Sequence, residues 1–382
     1  MKINLFKLHN KKEDNSLKRC ILAKGKNLND CINKQILKLK SKGWRTTDLI
    51  NYLMKEHKIS SASAQRLLFG YRDWYPLFFI ERLLNLNNEL DNKFIVQENI
   101  EFLKDTNPPV KIYKAPKELT ENLCKIAGAH AADGTLRDLY IAITDRHKSN
   151  IEALNKWISE DFGVKYDIKK ISENQYGIKF HSKILSRFFT NIFNFPNGLK
   201  TYEFNEPKLI EKAPYKFRKA YAIGALTFEG GFGIVPQLGL SVTNKKFRDS
   251  LHKILIKSIN SDLVVINETI KNLWRFWTKC KTKEDYLKIM EFFEEETEKW
   301  YKIKDVINGF DGKVNNFNDA VKVLSNVYPK NNGKCQLLDI LFIIKKLEST
   351  YRYEIAEEIC KRNNLKSFGG TWAHSLRYYL ET

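Results

Sequence analysis

The stretch Ile126-Ala-Gly-Ala-His-Ala-Ala-Asp133-Gly134 recurs in modified form as Ala222-Ile-Gly-Ala-Leu-Thr-Phe-Glu229-Gly230. In both copies a run of small residues ends in an acid and a glycine, and the two acids, at positions 133 and 229, lie 96 positions apart. The same spacing aligns residues 176–183 with residues 272–279 and matches Phe180 to Phe276. Two matches at one spacing indicate a duplicated unit.

Each copy of the motif is followed by a run rich in β-forming residues, at 139–144 in the first and 238–243 in the second, and then by a helical pattern. One unit therefore predicts helix, two strands, helix, two strands, helix. This places the middle of the chain in the α+β class, with antiparallel sheets.

The small residues of the two motifs predict helices that approach each other closely. A plain structural helix pair with glycine C-caps would account for Gly134 and Gly230. It would not account for Asp133 and Glu229, because a carboxylate at the C-terminal end of a helix faces the negative end of the helix dipole. Two carboxylates brought together repel each other unless a divalent cation lies between them. The pattern therefore predicts a shared Mg²⁺ site.

These residues resemble the LAGLIDADG homing endonuclease family. Both copies keep the third-position glycine (Gly128, Gly224), the eighth-position acid and the ninth-position glycine. Residues 198–201 and 206–210 resemble the stretch between the two motifs in that family, and the resemblance covers about residues 118–304. The sixth position departs from the family pattern, since Ala131 and Thr227 stand where an acid is frequent. His130, in the fifth position, is expected to be a packed or partly buried histidine rather than a ligand.

The resemblance implies two pseudo-twofold αββαββα repeats whose saddle-shaped antiparallel sheets enter the major groove of double-stranded DNA. It implies that Asp133 and Glu229 are catalytic metal ligands, with Gly134 and Gly230 beside the ion, Mg²⁺ or Mn²⁺. Lys200 would support the attacking water, and Lys299, Lys302 and Lys304 are alternatives for its second-copy counterpart. The sheet residues that could contact nucleic acid are Arg146, Lys179, His181, Lys245, Arg275 and Lys279.

The function implied is that of a free-standing, monomeric DNA endonuclease that hydrolyses phosphodiester bonds with a divalent metal at a long recognition site. Two alternatives stay open at this point. One is a catalytically silent DNA-binding transcription regulator, and the other is an RNA-binding intron maturase on the same scaffold. The two acids favour the nuclease over the regulator, whereas DNA and RNA are not distinguished.

Residues 31–95 are predicted as a small all-α domain. Its short helical patterns are similar to a helix-turn-helix of the phage-repressor type, with Ser61, Ser63, Gln65 and Arg66 exposed on its recognition helix. A plain helical packing domain is the alternative. Residues 335–382 resemble a winged-helix or three-helix DNA-binding unit that exposes Arg377. The remaining segments are predicted as a basic tail at 1–30, linkers at 96–117 and 306–334, and LAGLIDADG repeats at 118–205 and 206–305.

The charge balance agrees with a nucleic-acid partner. The 382 residues include 65 Lys and Arg against 45 Asp and Glu, a formal net charge of +20, and such charge suits nucleic acids or anionic membrane surfaces. The sequence offers neither a signal peptide nor an apolar run long enough to span a bilayer, so we expect no membrane partner. Six cysteines without a CxxC pair suit a reducing cytoplasm.

Overall fold

This computed structural model describes residues 1–9, 20–106, 110–198, 204, 206–232, 238–261, 264–268, 273–278, 280 and 283–310. The predicted C-terminal unit at 335–382, with Arg377, lies outside these residues, as do Lys200, Lys279 and all of the predicted linker at 306–334 beyond Phe310. No helix in the described part of the chain is long and apolar enough to cross a membrane.

The first unit is not the all-α domain expected at residues 31–95, but combines helices with a four-stranded antiparallel sheet, one strand of which lies inside that segment. Strands β1 (Ile21–Lys24), β2 (Tyr75–Pro76), β3 (Phe102–Asp105) and β4 (Ile112–Lys114) lie in the order β2-β1-β3-β4. The helices are α1 (Leu28–Ser41), α2 (Thr46–His57), α3 (Ser61–Leu68), α4 (Leu77–Leu86) and α5 (Lys93–Gln97). The helix starts follow capping chemistry: the Ser60 side chain accepts from the backbone N–H of Ser63 at the start of α3.

Two segments differ from the sequence expectation. The predicted linker at 96–117 contains β3 and β4, which pair with each other, and β3 also pairs with β1. The predicted tail at 1–30 contains a short 3₁₀ turn at Leu5–Leu8, strand β1 and the start of α1. These strands are short, and β1 lies about 80 positions from β3, so neither a length nor a periodicity signal revealed them.

The N-terminal residues are packed into the molecule. Ile3, Leu5 and Leu8 are buried, and the backbone N–H of Ile3 donates to the carbonyl of Lys117 at 2.8 Å. The Arg187 guanidinium donates to the carbonyl of Leu8 at 2.9 Å. The first nine residues therefore connect the first unit to the segment that follows it.

The first motif segment contains α6 (Glu121–Asp133), β5 (Gly134–Arg137), β6 (Tyr140–Asp145), α7 (Lys148–Phe162), β7 (Lys169–Ser172), β8 (Gln175–His181) and α8 (Lys183–Arg187). After α9 (Lys208–Glu211), the second contains α10 (Tyr215–Phe228), β9 (Gly231–Phe232), β10 (Leu238–Val242), α11 (Lys245–Leu255), β11 (Val264–Glu268), β12 (Trp274–Thr278) and α12 (Lys283–Met290). Helix α13 (Glu298–Phe310) follows. Both segments have the element order predicted from the sequence.

The two sheets also share a strand order. The first runs β5-β6-β8-β7 and the second runs β9-β10-β12-β11, with all neighbours antiparallel. Phe180 and Phe276, which the sequence spacing matched, are both buried in the fourth strand of their segment and pair with Ile141 and Leu240. Mixed α and β structure with antiparallel sheets is thus confirmed.

Helices α6 and α10 pack against each other through their glycines. A Cβ atom at Gly128 would lie 2.1 Å from the carbonyl oxygen of Tyr221, and one at Gly224 would lie 2.0 Å from that of Lys125. The sequence spacing that relates the motifs maps Gly128 onto Gly224 and Lys125 onto Tyr221. The same contact therefore occurs twice, with the helices exchanged, and it requires glycine at both places.

Candidate metal and nucleic-acid site

The two motif acids meet where α6 and α10 end. Asp133 is the last residue of α6, and Glu229 immediately follows α10 as its C-cap residue. Their carboxyl groups lie near enough for each to influence the other's protonation, and a proton shared between them would form a hydrogen bond. Both side chains keep some exposure to solvent. The helix crossing at Gly128 and Gly224 is what brings these carboxyls together.

The environment of Asp133 disfavours its charge. Burial, followed by the negative charge of Glu229 and then that of Asp145, raises the pKa of Asp133 from 3.8 to about 7, against an opposing effect of Lys299. An aspartate with this pKa is half protonated near neutral pH. In the absence of another cation, the site therefore retains a proton that a free aspartate would lose.

A buried lysine lies beside the acids. The Lys299 ammonium, at the start of α13, donates to the carbonyl oxygens of Leu226, Thr227 and Phe228 at 3.1, 2.7 and 3.1 Å. These carbonyls belong to the last turn of α10, where helix carbonyls have no partner inside the helix. The ammonium thus compensates the negative end of α10.

Burial lowers the pKa of Lys299 from 10.5 to about 8, and Asp145, Glu298, Asp133 and Glu229 oppose that effect. These four acids therefore lie near enough to interact with it. Lys299 was one of three alternatives in the sequence analysis, and the structure separates it from Lys302 and Lys304. Lys302 pairs with Glu298, and the exposed Lys304 lies over the Trp300 ring.

Asp145, which the sequence analysis did not single out, ends β6 beside the acids. Its carboxylate accepts from the His147 backbone N–H at 2.7 Å and from the Asn150 amide at 3.1 Å. The Asn150 amide also donates to the carbonyl of Thr227 at 3.2 Å. Asn150 therefore ties Asp145 and the first segment to the end of α10. Its position directly after a predicted strand and close to a motif helix was a signal that could have marked it.

The donor set at this site fits a divalent cation. Two opposed carboxylates supply hard oxygen ligands, and Mg²⁺ is commonly held by one or two carboxylates together with water and phosphate oxygens. Among the described residues, no group of three or more His, Cys, Asp or Glu side chains is placed to hold a metal. A cation held by Asp133 and Glu229 would therefore take its other ligands from water or from a phosphate.

The ninth-position glycines act differently from the expected C-caps. Gly134 has a φ of −79°, so it does not adopt the left-handed conformation that gives a glycine cap its advantage. A Cβ at Gly134 would instead lie 2.0 Å from His130 Nδ1, and one at Gly230 would lie 2.6 Å from the Leu226 carbonyl oxygen. Glycine is needed at both positions because a side chain would clash with the preceding helical turn.

The other motif positions are structural. His130 is fully buried and packs against the rings of Phe189 and Phe195, with centroids 4.3 and 4.7 Å away, as expected for a core histidine. Ala131 and Thr227, in the sixth position, are buried as well. The Thr227 hydroxyl accepts from the backbone N–H of Glu294 at 3.3 Å, which anchors the segment before α13.

A cavity of about 420 Å³ opens beside Glu229. Arg137, Thr135, Ser241 and Asn244 contribute polar side chains to its lining, and they come from both sheets or from positions next to them. Arg137 is exposed at the end of β5. A polyanion that approaches the acids would meet this residue, which the sequence analysis also missed.

The sheet residues predicted to contact nucleic acid are exposed where the structure describes them, but they do not cluster at one place. Lys179 and His181 lie on the exposed side of β8, and Arg275 lies on that of β12, where its guanidinium donates to the Ser241 hydroxyl at 2.6 Å. Arg146 follows β6, and Lys245 begins α11 over the Trp274 ring. They form a dispersed positive surface on both segments.

The predicted helix-turn-helix consists of α2 and α3. Lys58, between them, has a φ of 47°, so a left-handed residue makes the turn although glycine is absent. Leu67 and Leu68 are buried. The four candidate residues all retain solvent contact, with Ser63 half-buried and the others exposed: Ser61, Ser63, Gln65 and Arg66.

Comparison with known proteins finds structural likeness alone. No protein-family model matches the chain, and no curated protein matches it. The LAGLIDADG homing endonuclease I-DmoI, solved in complex with DNA and Mn, is similar at 14% identity over 42% of this chain and 91% of that chain, with a TM-score of 0.32.

Two structures of DUF199/WhiA are also similar. Its N-terminal LAGLIDADG domain aligns at 14% identity over 48% of this chain and 87% of that chain, with a TM-score of 0.33. The full-length protein from Thermatoga maritima aligns at 12% identity over 68% of this chain and 89% of that chain, with a TM-score of 0.32.

Proposed function

We propose that this protein is a divalent-metal-dependent DNA endonuclease of the LAGLIDADG type, with two pseudo-twofold repeats that supply one catalytic acid each. The observation that carries the proposal is the meeting of Asp133 and Glu229 at the ends of two helices that cross at Gly128 and Gly224. A purely structural helix pair has no use for two opposed carboxyls, because each raises the pKa of the other.

Asp133 and Glu229 would hold the cation, with Gly134 and Gly230 beside it. The bound cation would supply a nucleophile from water and stabilise charge on the phosphate. Lys299 offsets the negative end of α10 and keeps Glu229 at a fixed place, since it binds the three residues before that acid. Lys200 remains the proposed support for the attacking water.

The exposed sheet residues Arg146, Lys179, His181, Lys245 and Arg275, together with Lys279, would contact the phosphates or bases of double-stranded DNA. Ser61, Ser63, Gln65 and Arg66 on α3, and Arg377, would extend the contact. Because both acids are in one chain, the protein would act as a monomer, which sedimentation in the presence of DNA tests directly.

The α2–α3 arrangement favours a second candidate, a protein that binds DNA without cutting it. Its exposed α3 residues are independent of the acids, so binding could persist in a chain that had lost catalysis. A third candidate function, which the sequence leaves open, is an RNA-binding maturase on the same scaffold.

Cleavage assays on a supercoiled target library and on structured RNA, with Mg²⁺ or Mn²⁺ and with chelator, separate the three functions. Wild type should cut DNA only with metal. Asp133→Asn and Glu229→Gln should each abolish cutting, while gel-shift affinity for DNA is retained because the sheets and α3 are unchanged.

Glu152→Gln is the matched control, since it removes one negative charge from an exposed position on α7. It should cut like wild type. If wild type binds the DNA library but cuts no member of it, the regulator is supported instead. Binding restricted to the RNA substrates supports the maturase. Equal cutting by the acid variants and wild type would remove Asp133 and Glu229 from the active site.

A further inference from the structure

The first unit has a sheet face that the endonuclease proposal does not use. Inward residues Ile21, Leu103 and Tyr113 are buried, so the alternate residues of β1, β3 and β4 point to the other side. We call that side, together with the neighbouring Trp74, the lysine-aromatic face; it contains Lys24, Trp74, Phe102, Lys104, Ile112 and Lys114, with the half-buried Leu22 opposite Lys104.

Strand register makes this face continuous. Phe102 pairs with Lys24 on one side and with Lys114 on the other, and Lys104 pairs with Ile112. Phe102 is 38% exposed and Ile112 is 53% exposed. Apolar and cationic side chains therefore alternate across three adjacent strands and remain accessible.

Trp74 is held at the edge of the face by two cations. The Lys104 ammonium lies 4.2 Å from the centroid of a Trp74 ring, and the Lys24 ammonium lies 5.9 Å from it. Burial and the positive charge of Lys24 lower the pKa of Lys104. An anion placed between these two lysines would relieve their repulsion. The acid that pairs with Lys24 is Asp73, at 3.6 Å and 78% exposed.

The chemistry of the face selects its partner. Three lysines favour a polyanion, and two aromatic rings favour flat groups that can stack on them. In a duplex the bases already stack on one another, so the rings could be used only by unpaired bases. A protein partner could also stack an aromatic or arginine side chain on one ring, but a single strand presents both a flat base and a phosphate at each nucleotide, which matches rings and lysines that alternate.

We propose that the lysine-aromatic face binds single-stranded nucleic acid, with two or three unpaired bases stacked on Phe102 and Trp74 and the strand phosphates beside Lys24, Lys104 and Lys114. This binding is separate from duplex cleavage at Asp133 and Glu229. It would give the chain a surface for an unpaired strand in addition to the proposed surface for a duplex.

The test is fluorescence anisotropy of short labelled oligothymidylate and oligouridylate with the full chain and its variants. Phe102→Leu keeps an apolar side chain but loses the ring, and should weaken binding about tenfold, whereas Phe102→Tyr should bind within about twofold of wild type. Lys104→Gln should weaken binding and make the slope of log affinity against log salt shallower by about 0.7.

Tyr301→Leu is the matched control, because Tyr301 is 47% exposed on α13; it should bind both strands like wild type. Preference for one oligonucleotide identifies DNA or RNA as the source of the strand, and both results support the proposal. Equal binding by Phe102→Leu and wild type, or no binding of either strand by wild type, would overturn it. Cleavage of duplex by Phe102→Leu, measured in parallel, shows whether the acid site is intact.

Discussion

The ammonium of Lys299 lies at the C-terminal end of α10, 2.7 Å from the carbonyl oxygen of Thr227. This contact places a cation from the last described helix under the helix turn that precedes Glu229. The acid site is therefore built by three helices, α6, α10 and α13, although only the first two carry the motif.

Replacing Lys299 should be costly. In Lys299→Met, three carbonyls in the last turn of α10 lose a buried charged donor, and we expect the free energy of unfolding to fall by about 2–4 kcal/mol. Lys304→Met, on the exposed side of α13, should change it by less than about 0.5 kcal/mol. Urea titration of both variants measures the difference, and similar losses would show that the carbonyl contacts contribute little.

The helix crossing should not accept a methyl group. Gly128→Ala or Gly224→Ala would put a Cβ within about 2 Å of a backbone oxygen on the partner helix, so the helices must separate and the carboxyls with them. We expect a loss of roughly 2–4 kcal/mol in stability and loss of cleavage. Gly231→Ala is the control, since nothing lies within 4 Å of its added Cβ and its stability should stay near that of wild type.

The charge on Asp133 should make stability depend on pH. Because the pKa of Asp133 is raised from 3.8 to about 7 in the folded chain, its contribution is favourable at low pH and is lost as pH rises from about 4 to 7. Asp133→Asn should match wild type near pH 4 and exceed it by roughly 1–3 kcal/mol at pH 8. Thermal melts without divalent cations test this, and a constant difference across pH would contradict it.

His57 should give the opposite dependence. It is buried against Phe78, with ring centroids 4.1 Å apart, and burial first, then Arg82 and His9, lowers its pKa from 6.5 to about 4. In the unfolded chain His57 becomes protonated below about pH 6.5, whereas in the folded chain it stays neutral down to about pH 4. Stability should therefore fall over that interval, by up to about 3 kcal/mol. Thermal melts of His57→Leu should show a smaller loss of stability between about pH 6.5 and 4 than those of wild type. The same pH profile in both proteins would contradict this prediction.

Binding to duplex DNA should weaken steeply with salt, because a chain of net charge +20 displaces condensed cations from phosphates. Six to ten phosphate contacts predict a loss of roughly 10³ to 10⁵ in affinity between about 50 and 200 mM salt. Titration of one labelled duplex at several salt concentrations gives the slope. A flat response would speak against nucleic acid as the partner.

Local sequence signals were sufficient for the two motif segments. The order of helices and strands around Asp133 and Glu229 follows from alternating periodicities, and the packed position of His130 follows from its small and apolar neighbours. Helix starts such as Ser60 carry their own capping chemistry.

Features that depend on contacts between residues far apart in the chain could not be predicted from local sequence signals. Strand β1 has only four residues and finds its partner β3 about 80 positions later, and Lys299 binds carbonyls 71 to 73 positions before it. A lysine in an amphipathic helix looks the same in sequence whether it meets water or a helix end. Gly134 likewise resembled a left-handed cap, whereas its requirement comes from the approach of His130.

The packed first nine residues have a consequence for how two surfaces are used together. Ile3 is bonded to Lys117 and Leu8 to Arg187, so the unit that carries α3 is braced against the segment that carries Asp133. These contacts hold the exposed residues of α3 at a fixed distance from the acid site. A nucleic acid that contacted both surfaces would have to present its two contacted stretches at that fixed distance. The spacing between the two stretches would then contribute to recognition together with their sequence.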